Sequence, residues 1–412
     1  MRPPVIRGDY MITKTNKCLA GFALVLFFIG AGLELAQAAS RKKGADGLWN
    51  GSWKAQTKVE SEDNTFNLSP GVIFDKNLND PRDAASGRYK DMDSVSDIIL
   101  SPTLSFDAGG KTGLLPGKLV LGLDLGYNYY TQNPLKGYAD FGLSIEQETS
   151  KQGSVRLQTR FIPAKFKKAL LADGVDSNLN GKISRGERVY KAGNFSELDL
   201  ELDYSHKLLK RKDAGLGLTG MVLAGYNTKR YNMPFKGRNE VGMRAGLEFG
   251  LDLLKNWTAD IGYTLASSKS PITAEVQILD EPDFKTDFNG DADILDLNVR
   301  SVQRVNRSNT ERRLGMSTTV GITGSLDLTA GYGYLDRDFS SNEAFNSANK
   351  GRKDRKNTYQ AGFALQLSKA ARLKLNYKYE GQRTNRAGDP GSIGEVTDYI
   401  NRTIGGSVTY KF

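Results

Sequence analysis

Polar and apolar residues alternate along most of the chain beyond about residue 50. Between 371 and 383, for example, Leu373, Leu375 and Tyr377 alternate with Lys374 and Asn376. A period of two predicts β-strands with one wet face and one apolar face. The pattern recurs in 14 segments, at 51–60, 94–108, 117–131, 136–149, 152–163, 196–207, 214–231, 237–253, 257–267, 309–323, 326–339, 353–367, 371–383 and 399–412.

The lengths of these segments and of their connections favour one architecture. A tilted strand needs about 9–11 residues to cross a bilayer, and most of the segments reach that length. Long connections at 61–93, 164–195 and 268–308 alternate with short ones, apart from two short connections that contain Pro134 and Pro234. Outer-membrane barrels join their strands by long outer loops and short periplasmic turns. We therefore predict an antiparallel transmembrane β-barrel of about 14 strands over residues 51–412, preceded by a periplasmic tail at 39–50. The alternative, a soluble β-sandwich, gives no reason for this asymmetry.

Aromatic residues cluster at both ends of the predicted strands, where amphipathic rings favour the two membrane interfaces. The general preference of aromatic residues for strands does not explain their position at the ends. At the outer end we place Tyr127, Tyr129, Phe161, Tyr226, Tyr334, Tyr359 and Tyr379, and at the periplasmic end Phe106, Tyr204, Phe249, Trp257, Tyr410 and Phe412.

The first 38 residues have the three parts of a secretory signal peptide. Basic residues precede an apolar run at 19–32, and Ala36 and Ala38 supply a small-x-small cleavage site. Cys18 lies before the apolar run, whereas a lipoprotein cysteine would follow it. Because Cys18 is the only cysteine, a disulfide framework is excluded.

Composition narrows the class of protein further. With 39% hydrophobic residues and a mean hydropathy of −0.46, the chain lacks the repeated apolar runs of a polytopic helical membrane protein. Its 18 Tyr and 18 Phe exclude simple disorder. The net charge of +10 would also suit nucleic-acid binding, but predicted export argues against that partner. Attraction to anionic lipopolysaccharide or anionic solutes is the better interpretation.

The predicted signal, the alternating strands and the ending Thr409-Tyr410-Lys411-Phe412 resemble Gram-negative outer-membrane β-barrel proteins. The stretch from Asp354 to Phe412 is most similar to a porin-like family of unassigned function. The resemblance implies an outer-membrane location and a last strand, with Val408, Tyr410 and Phe412, that the barrel-assembly machinery reads. It also implies a passive channel for small solutes or ions. The alternative is a non-conducting surface protein: an adhesin, an assembly factor or a secretion partner.

Charges of both signs fall on the predicted inner face and require water or each other. About 14 strands lie nearer to the 16–18 that leave an aqueous channel than to the eight that side chains fill. Catalysis is not expected, because the only histidine, His206, lies at the periplasmic end on the outward face. The predicted lumen charges are Arg156, Arg160, Asp199, Glu201, Asp203, Arg244 and Glu248. Whether they form an ordered charge lattice or a simply solvated wall stays open at this point.

One predicted outer loop, at 176–187, matches the calcium loop of EF-hands. Oxygen-bearing side chains fill its ligand positions, Gly181 permits the sharp turn, and the stretch 164–172 would form the entering helix. The expected Ca²⁺ ligands are Asp176, Asn178, Asn180, Lys182 through its carbonyl, Ser184 and Glu187. A second stretch has Ala292 in place of the glycine, so an ordinary acidic loop is the stronger interpretation there. Its possible ligands are Asp287, Asn289, Asp291 and Asp293.

Overall fold

The structure is a computed structural model, and it describes most of the chain beyond residue 48. The described residues are 49–65, 94–111, 117–174, 188–211, 215–233, 235–271, 273–280, 298–341, 349–385 and 398–412. The predicted signal peptide, the calcium loop at 176–187 and the acidic stretch at 287–293 lie outside them. No helix among the described residues is long and apolar enough to cross a membrane.

Fourteen strands form one closed antiparallel barrel, in which each strand pairs with its neighbours along the chain. The first eight are β1 (Trp49–Glu62), β2 (Asp97–Lys111), β3 (Lys118–Tyr130), β4 (Tyr138–Glu148), β5 (Gly153–Gly174), β6 (Arg188–Arg211), β7 (Leu216–Tyr231) and β8 (Glu240–Leu254). The others are β9 (Trp257–Lys269), β12 (Asn309–Gly321), β13 (Leu326–Phe339), β14 (Lys353–Gln366), β15 (Ala371–Thr384) and β16 (Tyr399–Lys411). Between β9 and β12, the strands β10 (Thr273–Asp280) and β11 (Asn298–Val305) pair with each other in a separate hairpin.

The barrel closes where its first strand pairs with its last, from Lys54 opposite Lys411 to Glu62 opposite Thr403. Closure leaves no free edge among the barrel strands, so their backbone groups are hydrogen-bonded without water, as a bilayer requires. Each predicted segment corresponds to one barrel strand, and most boundaries agree within about three residues. The predicted fold, an antiparallel barrel of 14 strands, is confirmed.

Two features differ from the sequence-based expectation. The stretch 164–172, expected to form a helix, is strand: β5 runs to Gly174, and β6 already begins at Arg188. Local helix propensity is a weak preference, and pairing of the two strands overrides it. Three register shifts after Ile162 show that the extension is irregular. The second difference is the hairpin β10–β11 inside the range 268–308, which was expected to be a loop.

The outer wall of the barrel is apolar and exposed. Ile404 is 66% exposed and Leu143 is 59% exposed, while polar neighbours of opposite parity such as Thr403 and Asn401 are buried. A band of large apolar side chains that faces away from the lumen on many strands has a suitable partner only in lipid. The exterior therefore has the character of a membrane-spanning barrel.

Candidate functional site

The lumen wall carries a connected set of ion pairs centred on strand β6. Asp199, Glu201 and Asp203 alternate along this strand and form an acidic ladder. Arg244 of β8 donates to Asp199 over 2.8 Å and to Glu201 over 2.8 Å. Arg156 of β5 donates to Asp203 over 3.1 Å. The predicted ladder is therefore held by arginines from both sides.

A glycine lets Arg244 reach across a whole strand. Gly225 of β7 lies in register between Glu201 on β6 and Arg244 on β8. A Cβ at Gly225 would lie 2.6 Å from Nε of Arg244, closer than real Cβ contacts come. The arginine thus lies over Gly225, and a larger residue there would displace it from the acidic ladder.

The remaining predicted lumen residues also face inwards. Arg160 donates through Nε to Asp140 over 2.9 Å, and its guanidinium makes a second bond to the same carboxylate. A bidentate arginine–carboxylate pair fixes both side chains against the wall. Glu248 of β8 lies against Gly262 of β9, where the missing side chain leaves room for the carboxylate. These contacts establish an ordered arrangement of charges for most of the predicted set.

The opposite wall, formed by β14 and β15, is richer in cations. Glu380 accepts from Lys356 over 3.0 Å and from Lys378 over 2.9 Å. Arg372 donates to Asp327 of β13 over 2.6 Å. The lumen is therefore lined by an acidic side around β6 and a more basic side around β15.

Water-sized space remains inside the barrel. A cavity of about 520 Å³ lies along the inner faces of β1 to β6 and β8, and most of the residues that line it have a charged, hydroxyl or amide group. The side chains of Arg156 and Arg160, which point inwards, are 38% and 53% exposed. Because the barrel is closed, this exposed surface faces the lumen. The described lumen is thus lined by many polar groups and has room for water beside them.

An apolar cluster lies inside the loop end of the barrel, the end opposite the chain termini. Phe195 of β6 packs against Tyr231 of β7 with ring centroids 5.2 Å apart, and both are buried with Phe235. Phe235 belongs to a short 3₁₀ helix at Phe235–Arg238, and Ile162 of β5 is buried on the same side of the lumen. The cluster makes one side of the opening at the loop end, here called the mouth, apolar.

A buried ionic network faces this apolar cluster across the mouth. Glu311 of β12 accepts from Arg337 of β13 over 2.6 Å and from Arg313 over 2.9 Å. Asp354 of β14 is fully buried and receives two bonds of 2.8 Å from the buried Arg352. Since three strands and the turn before β14 contribute, the network fixes this side of the mouth.

Neither group at the mouth was predicted from the sequence. Phe195 falls in the predicted outer loop at 164–195 and Tyr231 at the end of the predicted strand 214–231, and the sequence singled out neither of them. For the network, the alternation of polar and apolar residues indicates only that Glu311, Arg337 and Asp354 face inwards. Their contacts depend on cross-strand register, which the sequence does not display.

A second short 3₁₀ helix, at Pro134–Lys136, also lies at the loop end. The buried amine of Lys136 donates to the carbonyl of Thr65, and its Nζ lies 5.1 Å from the centre of the Tyr130 ring. Burial lowers the pKa of Lys136 to about 8, although the carboxylate of Glu62 opposes this shift. Asp97 accepts from the backbone N–H of Asn133 over 2.8 Å and fixes the start of the same connection.

Metal binding and the expectation of no catalysis both remain predictions. Within the described residues, no group of three or more His, Cys, Asp or Glu side chains is placed to hold a metal. The expected calcium ligands fall outside that part of the chain. His206 lies near the C-terminal end of β6, where its Nδ1 atom is 3.1 Å from the hydroxyl oxygen of Tyr204.

The last strand has the outward pattern that the assembly prediction requires. Val408, Tyr410 and Phe412 face away from the lumen and are 50%, 46% and 39% exposed. The rings of Tyr410 and Phe412 pack with centroids 4.8 Å apart. The backbone N–H of Phe412 donates to the carbonyl of Trp53 over 3.0 Å, which ties the end of the chain to β1.

Comparison with known proteins finds similar architecture and no close relative. No protein-family profile matches the chain, and no curated protein matches it in sequence. Among solved structures, the loop L8 deletion mutant of OmpT, an outer membrane protein of Vibrio cholerae, is 11% identical and has a TM-score of 0.37. The match covers 89% of this chain and 100% of that one.

Two further solved structures are similar to this chain at low sequence identity. The CymD monoaromatic hydrocarbon channel is 10% identical with a TM-score of 0.41, and the match covers 92% of this chain and 93% of that one. The translocator domain of the autotransporter NalP from Neisseria meningitidis is 12% identical with a TM-score of 0.30, over 95% of this chain and 98% of that one. At these values the matches describe barrel architecture alone.

Proposed function

We propose that the protein is an outer-membrane channel that lets small hydrophilic solutes and ions cross passively. The observation that carries the proposal is the charge-lined lumen, with water-sized space in it, inside a closed barrel with an apolar exterior. Charged groups line a wall at low cost only when water or counter-charges accompany them. A pathway that holds water between paired charges also admits hydrated ions.

The cavity lining favours cations over anions. Five carboxylates contribute to it, against three cationic side chains. The carboxylates are Glu60, Asp124, Asp140, Asp199 and Glu201, and the cations are Lys58, Arg160 and Arg244. The excess of negative charge attracts cations and repels anions over roughly a Debye length. We therefore propose weak cation selectivity.

The cellular setting of this function rests on the barrel and on the sequence. The apolar exterior supports residence in lipid, and a signal peptide at 1–38 would direct export through the periplasm of a Gram-negative bacterium. Assembly by the barrel-assembly machinery and contact with lipopolysaccharide belong to the same proposal. No enzymatic activity is proposed.

Calcium binding at 176–187 stays a separate proposal. It rests on the spacing of oxygen-bearing residues between Asp176 and Glu187. In the chain, this stretch lies between the end of β5 and the start of β6.

Solute efflux tests the channel proposal. Purified, folded protein is reconstituted into vesicles that contain a small hydrophilic dye and, separately, a dye-labelled dextran. The proposal predicts rapid loss of the small dye and retention of the dextran. Retention of both by vesicles with folded protein would refute it.

A non-conducting surface protein is the second candidate. The observation in its favour is that buried groups lie at the loop end of the barrel, with Phe235 in the apolar cluster and Asp354 in the ionic network. If these groups close the lumen, deletion of the 3₁₀ helix at Phe235–Arg238 would convert a silent barrel into a conducting one.

A further inference from the structure

A row of charged residues crosses four strands on the outer wall near the loop end. The register places Arg312 opposite Asp336, Asp336 opposite Arg355, and Arg355 opposite Arg383. We call these four residues the outer charge row. They lie on β12 to β15 and share the parity of the lipid-facing residues of those strands.

The outer charge row points away from the lumen. Met316 and Tyr359, two outward residues of the same parity, are 46% and 51% exposed. The side chain of Arg312 is 52% exposed, and that of Arg355 is 66% exposed. By contrast, Glu311, the neighbour of Arg312, is buried on the inner side. The row therefore faces the surroundings of the barrel, not its solutes.

The row lies at the height of lipid headgroups. Tyr332, Tyr359 and Tyr379 form a register row four residues closer to the membrane centre, and tyrosines favour the interface. Four residues span about 13 Å along a strand, or about 10 Å along the barrel axis at a tilt of about 40°. Tyr334 lies halfway between. A headgroup layer is roughly 5–8 Å thick, so the backbone of the row lies just above it and the long arginine side chains can reach down to the headgroups.

The row has more positive than negative charge. Asp336 lies between two arginines, at 3.2 Å from Arg312 and 3.6 Å from Arg355. No carboxylate within the described ranges forms an ion pair with Arg383. Arg355 and Arg383 are direct cross-strand neighbours, and like charges in that position are destabilising unless an anion lies between them.

Within the described residues, the adjoining part of the wall lacks such a row. Near the loop end of these strands the register joins Leu198, Thr228, Val241 and Lys269 across β6 to β9. This row has one cation at its end and no pair of adjacent arginines. Nonspecific attraction to a membrane surface can use cations spread around the whole barrel. A discrete binding site needs cations grouped in one place, as they are in the outer charge row.

We propose that Arg355 and Arg383 bind a phosphate group of an anionic lipid headgroup in the surrounding leaflet, with Arg312 and Asp336 orienting Arg355. Two guanidinium groups on adjacent strands fit around one phosphate and form bidentate hydrogen bonds with its oxygens. The acyl chains of the same lipid would lie on the apolar wall below, beside Met316 and Tyr359. The source of the phosphate is therefore a lipid, because free phosphate makes no use of that wall.

The test compares lipid retention by matched barrels. Folded protein in phosphatidylcholine nanodiscs receives diphosphoryl lipid A, and bound lipid is counted by native mass spectrometry after mild delipidation. The site variant is Arg355→Gln with Arg383→Gln. The control is Arg230→Gln with Lys269→Gln, which removes two outward-facing cations from β7 and β9, outside the outer charge row. Near a membrane surface each basic residue is worth about a fivefold change in affinity, so the loss of both should weaken lipid binding by the site variant roughly 25-fold.

Two further arms identify the ligand without a variant. The unaltered barrel is offered dephosphorylated lipid A, and in a separate arm inorganic phosphate at millimolar concentration competes with diphosphoryl lipid A. The proposal predicts weak retention of the dephosphorylated lipid and little competition by phosphate. Equal retention of both lipids, equal loss in site and control variants, or full competition by inorganic phosphate would each overturn it.

The inference rests on the membrane-embedded barrel of the proposed function, and not on conduction. Heat-modifiable migration in gels is therefore recorded for every sample, together with solute efflux. A folded barrel that releases no dye but retains the phosphorylated lipid refutes the channel and supports the lipid site. A folded barrel that releases the dye but retains phosphorylated and dephosphorylated lipid equally supports the channel and refutes the lipid site.

Discussion

Replacing Arg244 by Gln should change the ion selectivity of the lumen. Arg244 neutralises part of the acidic ladder through its bonds to Asp199 and Glu201. Gln keeps most of the side-chain length and removes the charge. The substitution leaves the ladder more negative, so permeability to cations should rise relative to anions.

The size of this effect follows from the geometry of the barrel. Fourteen strands spaced by about 4.8 Å and tilted by about 40° give a backbone radius of about 14 Å. The guanidinium of Arg244 then lies about 10 Å from the barrel axis, where a unit charge in water is worth about 0.4 kcal/mol. Screening reduces this to about 0.3 kcal/mol at 10 mM salt and nearly to zero at 1 M salt.

Removal of one positive charge lowers the energy of a cation on the axis and raises that of an anion by the same amount. The ratio of cation to anion permeability should therefore rise about threefold at 10 mM salt and stay nearly constant at 1 M. Reversal potentials under a KCl gradient measure this ratio. Asp199→Asn should shift it in the opposite direction, and the outward-facing Lys269→Gln should leave it unchanged. A fall in the ratio for Arg244→Gln, or an equal shift for Lys269→Gln, would refute the reasoning.

Three other perturbations follow from the structure and the sequence. Asp354→Asn leaves the buried Arg352 without its carboxylate and should lower the free energy of unfolding by about 3 kcal/mol, measured by denaturant titration of heat-modifiable protein. Deletion of Phe412 should reduce insertion into the outer membrane in cells, as measured by the amount of folded barrel in membrane fractions. Millimolar Ca²⁺ should protect the loop at 176–187 from protease, and Asp176→Ala with Glu187→Ala should abolish that protection.

Each of these predictions has its own control. Asp354→Glu keeps the charge and should lower the free energy of unfolding less than Asp354→Asn does. Equal stability of the unaltered protein and both variants would contradict the role of the network. Phe412→Tyr keeps an aromatic end and should insert normally, whereas undiminished insertion after deletion of Phe412 would remove the assembly signal. Zn²⁺ should not replace Ca²⁺ in the protease assay, because the loop has neither His nor Cys. Identical cleavage with calcium and with chelator would make the motif a chance match.

The barrel is predictable from the sequence because its strands satisfy a simple rule. Each strand has one face in lipid and one face on a wet lumen, so the period of two persists through segments such as Tyr399–Lys411. Parity alone also assigns Arg156 and Asp203 to the lumen. Parity does not show which residues of two neighbouring strands lie opposite each other. That register places Arg156 opposite Asp203, where the two side chains form a hydrogen bond.

The loop end was harder to predict for a different physical reason. Beyond the membrane, strands lose the requirement for an apolar outer face, so the alternation weakens and local propensity becomes misleading. The helix expected at 164–172 is a strand because β5 continues to pair with β6 after Ile162. Contacts such as the packing of Phe195 on Tyr231 join side chains far apart in the chain, and no local pattern reports them.

Single-channel recording in a planar bilayer tests the central claim most directly. Folded protein is added to one side of a phospholipid membrane in KCl, and the current is followed at constant voltage. The charge-lined lumen of a closed barrel predicts discrete, reproducible conductance steps. Protein that inserts in its folded, heat-modifiable form and still passes no current would contradict the account.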